Sequence, residues 1–415
     1  MKNLVILGAG TAGTTAANRV RKVLAGDEWR ITVVDQDTLH YYQPGFLFLP
    51  FGIYTPEDII KPKRKFIPSG VEFVLGQVEV IQPEQNQVKL MDGRKLGYDF
   101  LVIATGCRND PQATPGLQEH AWQKTIFDFY TFDGALALAK HLRSWQGGRL
   151  VLNVVDYPIK CPVAPLEFLM MADWFFQQKR MRQQVEIIFA TPLPGAFNQP
   201  IASRYLGGML ERKGVRVVPE FMLERVDPDA KKIIAYDETE IAYDLLVSVP
   251  LNRGDAAISR SGLGDDLDFV PVDKLTFIHP KYANIFVLGD AASLPTSKAG
   301  SVAHYATDCF SENFKRYTRG QEMRTCFDGH STCFIESGFG KAVMIDFNYE
   351  VEPLPGRYPL AGIGPFTLLH ETRFNHWGKM LFRWLYWTFL VKGYDLGIAP
   401  LMSMAGKQQE HNHGS

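Results

Sequence analysis

The chain has 415 residues, 46% of them apolar and 21% charged, the composition of an ordinary globular protein of two or three lobes. Its 44 basic and 45 acidic residues leave a formal charge of −1, which supplies no general attraction to nucleic acid. No apolar run reaches the roughly 18 residues that a membrane-crossing helix needs. Five cysteines, at 107, 161, 309, 326 and 333, are too few for a disulfide scaffold. None forms CxxC or CxxCH, so a zinc ribbon, a thioredoxin-type pair and c-type haem attachment are all disfavoured, and no metal site is expected. Met1-Lys2-Asn3-Leu4 runs straight into a strand-like segment, so no secretory signal is expected.

The first apolar run, Leu4–Leu7, reads as a buried parallel strand. It leads into Gly8-Ala9-Gly10-Thr11-Ala12-Gly13, then a helical stretch to Val23 and a second strand, Ile31–Val34, ending at Asp35. Gly8 allows the tight turn and Gly10 lets a pyrophosphate approach the backbone. Gly13 permits close packing of helix on strand, and the helix N-terminus faces the phosphates. Asp35 stands 22 residues after Gly13, where a carboxylate accepts from a ribose hydroxyl. A dinucleotide site follows from this arrangement.

Two later segments narrow the choice. The strand Tyr98–Ile103 ends in Ala104-Thr105-Gly106, and the strand Asn284–Leu288 ends in Gly289-Asp290. Together with the glycine turn they resemble the three fingerprints of flavoproteins with two dinucleotide-binding domains. That resemblance implies FAD in the first Rossmann unit, with Asp290 at the ribityl chain.

A second unit starts at Gly147-Gly148 with the strand Leu150–Val155, but its turn reads Asp156-Tyr157-Pro158-Ile159-Lys160-Cys161-Pro162-Val163. Glycines are absent, side chains fill the turn and Pro162 has no N–H, so a pyrophosphate has no nest. The expectation is a Rossmann lobe that has lost its nucleotide. Cys161 stands at the C-terminal end of a parallel strand, where such sheets place ligands. Lys160 and the N-terminus of the following helix (from about Leu166) argue for a lowered thiol pKa.

The C-terminal third carries Cys333 within "FDGHSTCFIESGFGKAVMIDFNYEVEPLP", followed by Phe366–Lys392. In that stretch Phe374, Trp377, Phe382, Trp384, Tyr386, Trp387 and Phe389 alternate with Arg373, Lys379, Arg383 and Lys392. Its apolar core is too short to span a bilayer. Aromatic rings among cations suit the headgroup interface, so the segment is expected to lie on a membrane surface and to give a quinone its entry path. The tail Gly406–Ser415 is polar and expected to be disordered.

"PIKCPVAPLE", "LGDAASLPTSK" and the Cys333 segment together resemble sulfide:quinone oxidoreductases, and in part flavocytochrome c sulfide dehydrogenases. The resemblance runs from Leu4 to about Gly393. It implies an α/β protein with two Rossmann-like lobes and a C-terminal membrane-contacting helical segment. The FAD lobe is expected over 1–110 and 270–320, the second lobe over 111–269, and the C-terminal segment over 321–405. It also implies a redox disulfide between Cys161 and Cys333, sulfide as substrate, membrane quinone as acceptor, and a monotopic protein on the bilayer surface. A homo-oligomer is compatible with it.

Glu167 matches an acidic residue beside the cysteine, a candidate proton handler. Lys298 matches a position where a cation could stabilise anionic reduced flavin. Membrane or quinone contacts are expected at Phe339, Phe382, Trp384 and Trp387. No cysteine stands in the stretch around 117–129 that carries a third thiol in some members, so a covalent flavin link there is not expected. Cys107, Cys309 and Cys326 are expected to be non-catalytic, and His120 and His330 to be ordinary polar residues. The alternatives are a type II NADH:quinone dehydrogenase, which needs the missing glycines, a flavocytochrome-type flavin subunit, and a non-enzymatic FAD-binding protein resembling apoptosis-inducing factor.

Overall fold

A computed structural model describes residues 1–359 and 364–408. Two five-stranded parallel sheets form its frame. In the first, Ile285–Val287, Phe100–Ile103, Lys2–Leu7, Trp29–Asp35 and Val71–Leu75 lie side by side. In the second the order is Ile126–Phe127, Leu245–Val249, Gly148–Val154, Val185–Ala190 and Val215–Val218. The central strands read as unbroken apolar runs because both faces of each sheet are covered. Leu4, Ile6, Leu150 and Leu152 are all fully buried.

The two lobes meet where Cys107–Asp110 pairs antiparallel with Leu251–Gly254. This crossing shifts one expected boundary. The short helix Ala256–Ser261, assigned by sequence to the second lobe, packs on the first, with Ile258 and Leu263 against Val5, Leu7 and Leu101.

The C-terminal part is a four-stranded sheet, in the order Ser331–Gly338, Lys341–Phe347, Phe366–Leu368 and Gly356–Tyr358, with the helix Arg373–Thr388 beside it. Thr372 caps this helix by accepting from the Asn375 N–H (3.1 Å). The chain beyond it returns to the first lobe. Asn18 Nδ2 donates to the carbonyls of Val391 (3.1 Å) and Phe66 (2.7 Å), and Lys22 Nζ to that of Gly393 (2.8 Å).

The start of the tail is held rather than free. The Arg357 N–H donates to the Gly406 carbonyl (2.9 Å) and the Gln408 N–H to that of Pro355 (2.8 Å). Lys407 forms a buried ion pair with Asp346 (2.6 Å), whose carboxylate also accepts from His330 Nε2 (2.8 Å) and Thr332 Oγ1 (2.6 Å). The remainder of the expected disordered tail, 409–415, lies outside the described residues.

Cys309 and Cys326, expected to be non-catalytic, are bonded to each other, tying the helix Gly300–Tyr317 to the segment after it. Among the described residues the other three cysteines are free.

Lys407→Ala removes the ammonium from a buried carboxylate that keeps two other donors. It is expected to destabilise the fold by about 1–3 kcal/mol, seen as a lower urea midpoint at unchanged slope.

Candidate functional site

A long cleft opens at the C-terminal ends of the first sheet's strands. Gly8, Gly10, Asp35, Ala104, Thr105, Gly106, Gly289 and Asp290 line one part of it, and Lys160, Cys161, Glu167, Lys379, Phe382 and Tyr386 another. Gly8 has φ +97°, and a Cβ there would sit 2.3 Å from the Ala104 carbonyl oxygen. A Cβ on Gly13 would come within 1.9 Å of the Gly8 oxygen, so strand and helix touch backbone to backbone. A Cβ on Gly10 would meet nothing within 4 Å. It would project into the open cradle at the N-terminus of the helix Thr11–Val23, where diphosphate binds. Thr105 contributes a buried hydroxyl without a protein partner.

Asp35 Oδ2 accepts from the Ala9 N–H (2.6 Å), and Oδ1 is paired with Lys63 (2.6 Å). Burial holds Asp290 above the usual carboxylate range, with Lys298 and Lys160 opposing. Cys107 lies 4.0 Å from the Asp290 carboxylate, its thiol pushed up to about 12 by burial. The glycine cradle, the ribose-side acid and the spare hydroxyl fit FAD.

In the second lobe the turn after Gly148–Val154 is filled by the chain itself, with Ile159 and Val163 buried in the core. Cys161 stands in this turn with φ +48°, a left-handed conformation uncommon for a side-chain-bearing residue. Its N–H donates to the Lys298 carbonyl (2.7 Å), and its carbonyl accepts from the Ala164 N–H (2.9 Å) and the Tyr130 hydroxyl (3.1 Å).

The expected lowering of the Cys161 thiol pKa is not found. Burial raises it, and Glu167 and Cys333 add to the rise, against a smaller opposing pull from Lys379 and the Ala164 N–H. Lys160 does not help, because its ammonium turns to Gln43 and the Tyr130 carbonyl. Cys333, on the strand Ser331–Gly338, is raised by burial to about 11, with Lys379 the main opposing charge. Cys333 lies close enough to Cys161 to add to the rise of its thiol. No bond joins them in this structure.

Glu167 occupies the first turn of the helix Ala164–Gln178 and is almost wholly buried. One carboxylate oxygen accepts from Lys379 Nζ (2.7 Å) and from the Glu336 N–H (2.7 Å). Burial still raises its pKa, against Lys379. Lys379 gives a further hydrogen to the Phe334 carbonyl (2.9 Å). Its pKa is raised, with Glu167 and both thiols outweighing burial.

The sequence reading placed Lys379 among interfacial cations. The structure turns it inward, because Gly378 clears the way: a Cβ there would strike Phe366 and Phe334 at 2.6 and 2.8 Å. Arg383 also turns away from the surface, pairing with Asp58 and lying over the Tyr54 ring.

The remaining candidates divide. Lys298 lines the cleft, but its ammonium donates to the carbonyls of Asp290 (2.9 Å) and Ala292 (3.0 Å) and lies over the Phe269 ring. It secures the Gly-Asp turn. Trp387, expected at the membrane, is only 6% exposed and stacks on Phe66. Phe382 is half-buried in the cleft wall. Trp384 is 55% exposed, in a stripe with Phe374, Trp377 and Leu381, and Phe339 is exposed beneath Lys213. Two further residues were missed by sequence. Tyr386 joins the cleft to the glycine turn through hydrogen bonds with Thr11 (2.7 Å) and His40 (2.7 Å), and Lys63 holds Asp35.

The fold and cleft define an FAD-binding oxidoreductase of the two-lobed class, and the family model "Pyridine nucleotide-disulphide oxidoreductase" matches residues 2–147. A mitochondrial sulfide:quinone oxidoreductase of Dictyostelium discoideum is 28% identical over 396 residues, covering 94% of this chain and 86% of that protein. The crystal structure of the sulfide:quinone oxidoreductase of Aquifex aeolicus superposes with a TM-score of 0.77 at 19% identity, covering 95% of this chain and 92% of that one. A type II NADH:quinone oxidoreductase of Staphylococcus epidermidis matches only 29% of the chain. The chain is a relative of the sulfide:quinone oxidoreductases over nearly its whole length.

Lys379→Met removes the cation that opposes burial at Cys333. The Cys333 thiol is expected to move above about 11, and its alkylation by iodoacetamide, followed by peptide mass spectrometry, to slow across the alkaline range.

Proposed function

We propose that the protein oxidises sulfide to sulfane sulfur through Cys161 and Cys333 and passes two electrons by way of FAD to a quinone. The observation that carries this reading is the convergence of two half-buried thiols with Lys379 and Glu167 beside the dinucleotide cleft. Bound FAD supplies a two-electron relay between the thiol pair and the quinone.

In the oxidised state the pair is joined. Hydrosulfide attacks one sulfur, the S–S bond breaks, and a persulfide forms on one cysteine while the other leaves as a thiolate. A thiolate in this buried site is opposed by desolvation and favoured by Lys379. Glu167, hydrogen-bonded to Lys379, is placed to exchange the proton that sulfide brings. As the sulfide sulfur becomes sulfane sulfur it loses two electrons, which the broken S–S bond takes up as the released thiolate. The turn that would hold NADH is packed with Ile159 and Val163, which disfavours the nicotinamide alternative.

The helix Arg373–Thr388 serves both sides of the reaction. Lys379, Phe382 and Tyr386 face the cleft. Phe374, Trp377, Leu381 and Trp384 form an exposed apolar stripe at helical spacing. No helix of the described residues is long and apolar enough to cross a membrane. The stripe suits a helix lying in the headgroup region, where it brings a lipid-soluble quinone beside Lys379 and Phe382.

Cys161→Ser and Cys333→Ser are expected to keep FAD and lose anaerobic bleaching of the flavin by sulfide, while the parent protein bleaches with sulfide and recovers its colour with a soluble quinone. Rapid bleaching in both variants, or bleaching by NADH alone, would sink the proposal. Trp377→Ser with Trp384→Ser is expected to reduce co-sedimentation with anionic lipid vesicles several-fold while leaving sulfide bleaching in solution unchanged.

A further inference from the structure

The ion pair Glu167–Lys379 sits in the cleft wall with side chains only about 1% and 11% exposed, yet quinone reduction consumes protons. Turning a quinone into a quinol takes two electrons and two protons. A reduced flavin anion carries two electrons and one proton, so each turnover draws one further proton from the protein. Whatever group donates it must be recharged from outside.

One residue is bonded to this cluster through its backbone and to a partly exposed group through its side chain. Glu336 is buried and hands its backbone N–H to Glu167 (2.7 Å). Its carboxylate accepts from His376 Nδ1 (2.8 Å). His376 lies three residues before Lys379 on the C-terminal helix, and its side chain is 24% exposed. It directly precedes Trp377 of the apolar stripe, so it opens where the helix meets its surroundings. Among the described residues it is the one partly exposed titratable side chain bonded to either buried acid.

The charges alternate across three elements. His376 and Lys379 come from the helix, Glu336 from the strand Ser331–Gly338, and Glu167 from the helix Ala164–Gln178. The Glu336 charge raises the cost of ionising Glu167. Tyr54, with Arg383 over its ring, also faces Glu336 and Lys379. Cys161 and Cys333 face Lys379 from the other side.

We propose that His376, with Glu336, is the positioning residue through which protons re-enter the buried Glu167–Lys379 cluster during quinone reduction. This rests on the reading of the site given above. The Glu336 hydrogen bond holds His376 above its ordinary value of 6.5, so it remains a loaded donor near neutrality. The donor is present below its raised pKa and is lost as the pH climbs through it.

The test uses the holoenzyme reduced with dithionite, so that it is independent of sulfide, and follows flavin reoxidation by a soluble short-chain quinone between pH 6 and about 9, a window chosen around the histidine range. In the parent protein the rate is expected to fall through the raised His376 pKa. His376→Gln is expected to lose that limb, to slow about tenfold at neutral pH, and to recover with added imidazole buffer, while bleaching by sulfide keeps its rate. In Glu336→Gln, NMR of ring-labelled histidine is expected to show the His376 pKa falling back toward 6.5.

A His376→Gln protein with the parent rate and pH profile overturns the proposal. So does slowing that imidazole does not relieve, which marks a merely structural residue. If the parent protein shows the limb and His376→Gln its rescue, but the parent fails to bleach with sulfide, the proton route stands and the sulfide reading falls.

Discussion

The Glu167–Lys379 ion pair is the constraint on which the rest of the site depends. It bonds the second lobe to the C-terminal helix, and it sets the charge felt by both thiols. Either ion alone in this interior would cost several kcal/mol, so the two must be buried together or not at all. That condition fixes where the helix Arg373–Thr388 lies and which residue faces inward. The lysine reaches the acid because Gly378 lets Phe334 and Phe366 close against the helix backbone. The outward stripe follows from the same rotation, since residues 374, 377, 381 and 384 lie on the face opposite the buried Lys379.

The first lobe was legible almost in full. A glycine turn between strand and helix is local chemistry, and the spacing of Gly8, Gly10, Gly13 and Asp35 carries its own geometric reason. The crowding of the corresponding turn in the second lobe was equally readable, because prolines and bulky residues leave no cradle for phosphate wherever the rest of the chain lies. The pairing of Cys161 with Cys333 came from resemblance; composition and spacing alone do not bring position 161 to position 333.

What could not be read were properties decided by burial. Lys160 stands next to Cys161 in sequence but spends its charge on Gln43 and Tyr130. Lys379, far away in sequence, acts on both thiols. The aromatic segment misled in a similar way: seven rings within sixteen residues suggested one interfacial surface, whereas the helix divides them between a core side with Tyr386 and Trp387 and an outer side with Trp377 and Trp384. The spacing of those rings held the signal, since positions one turn apart share a face. The Cys309–Cys326 bond had no comparable signal, because the pairing depends on a loop returning to the helix Gly300–Tyr317.

Cys161 stands on left-handed backbone that a glycine would adopt without penalty. A chain selected for thermal stability alone would carry glycine at 161 and gain on the order of 1 kcal/mol in relief of strain. Keeping sulfur there means that three partners from separate elements, the Lys298 carbonyl, the Ala164 N–H and the Tyr130 hydroxyl, must hold the turn closed. The sulfur is thus carried on strained backbone, and the residues around it grip the turn closed. Attempts to make this protein hardier by relaxing its tightest turn would remove the one atom that the turn exists to present.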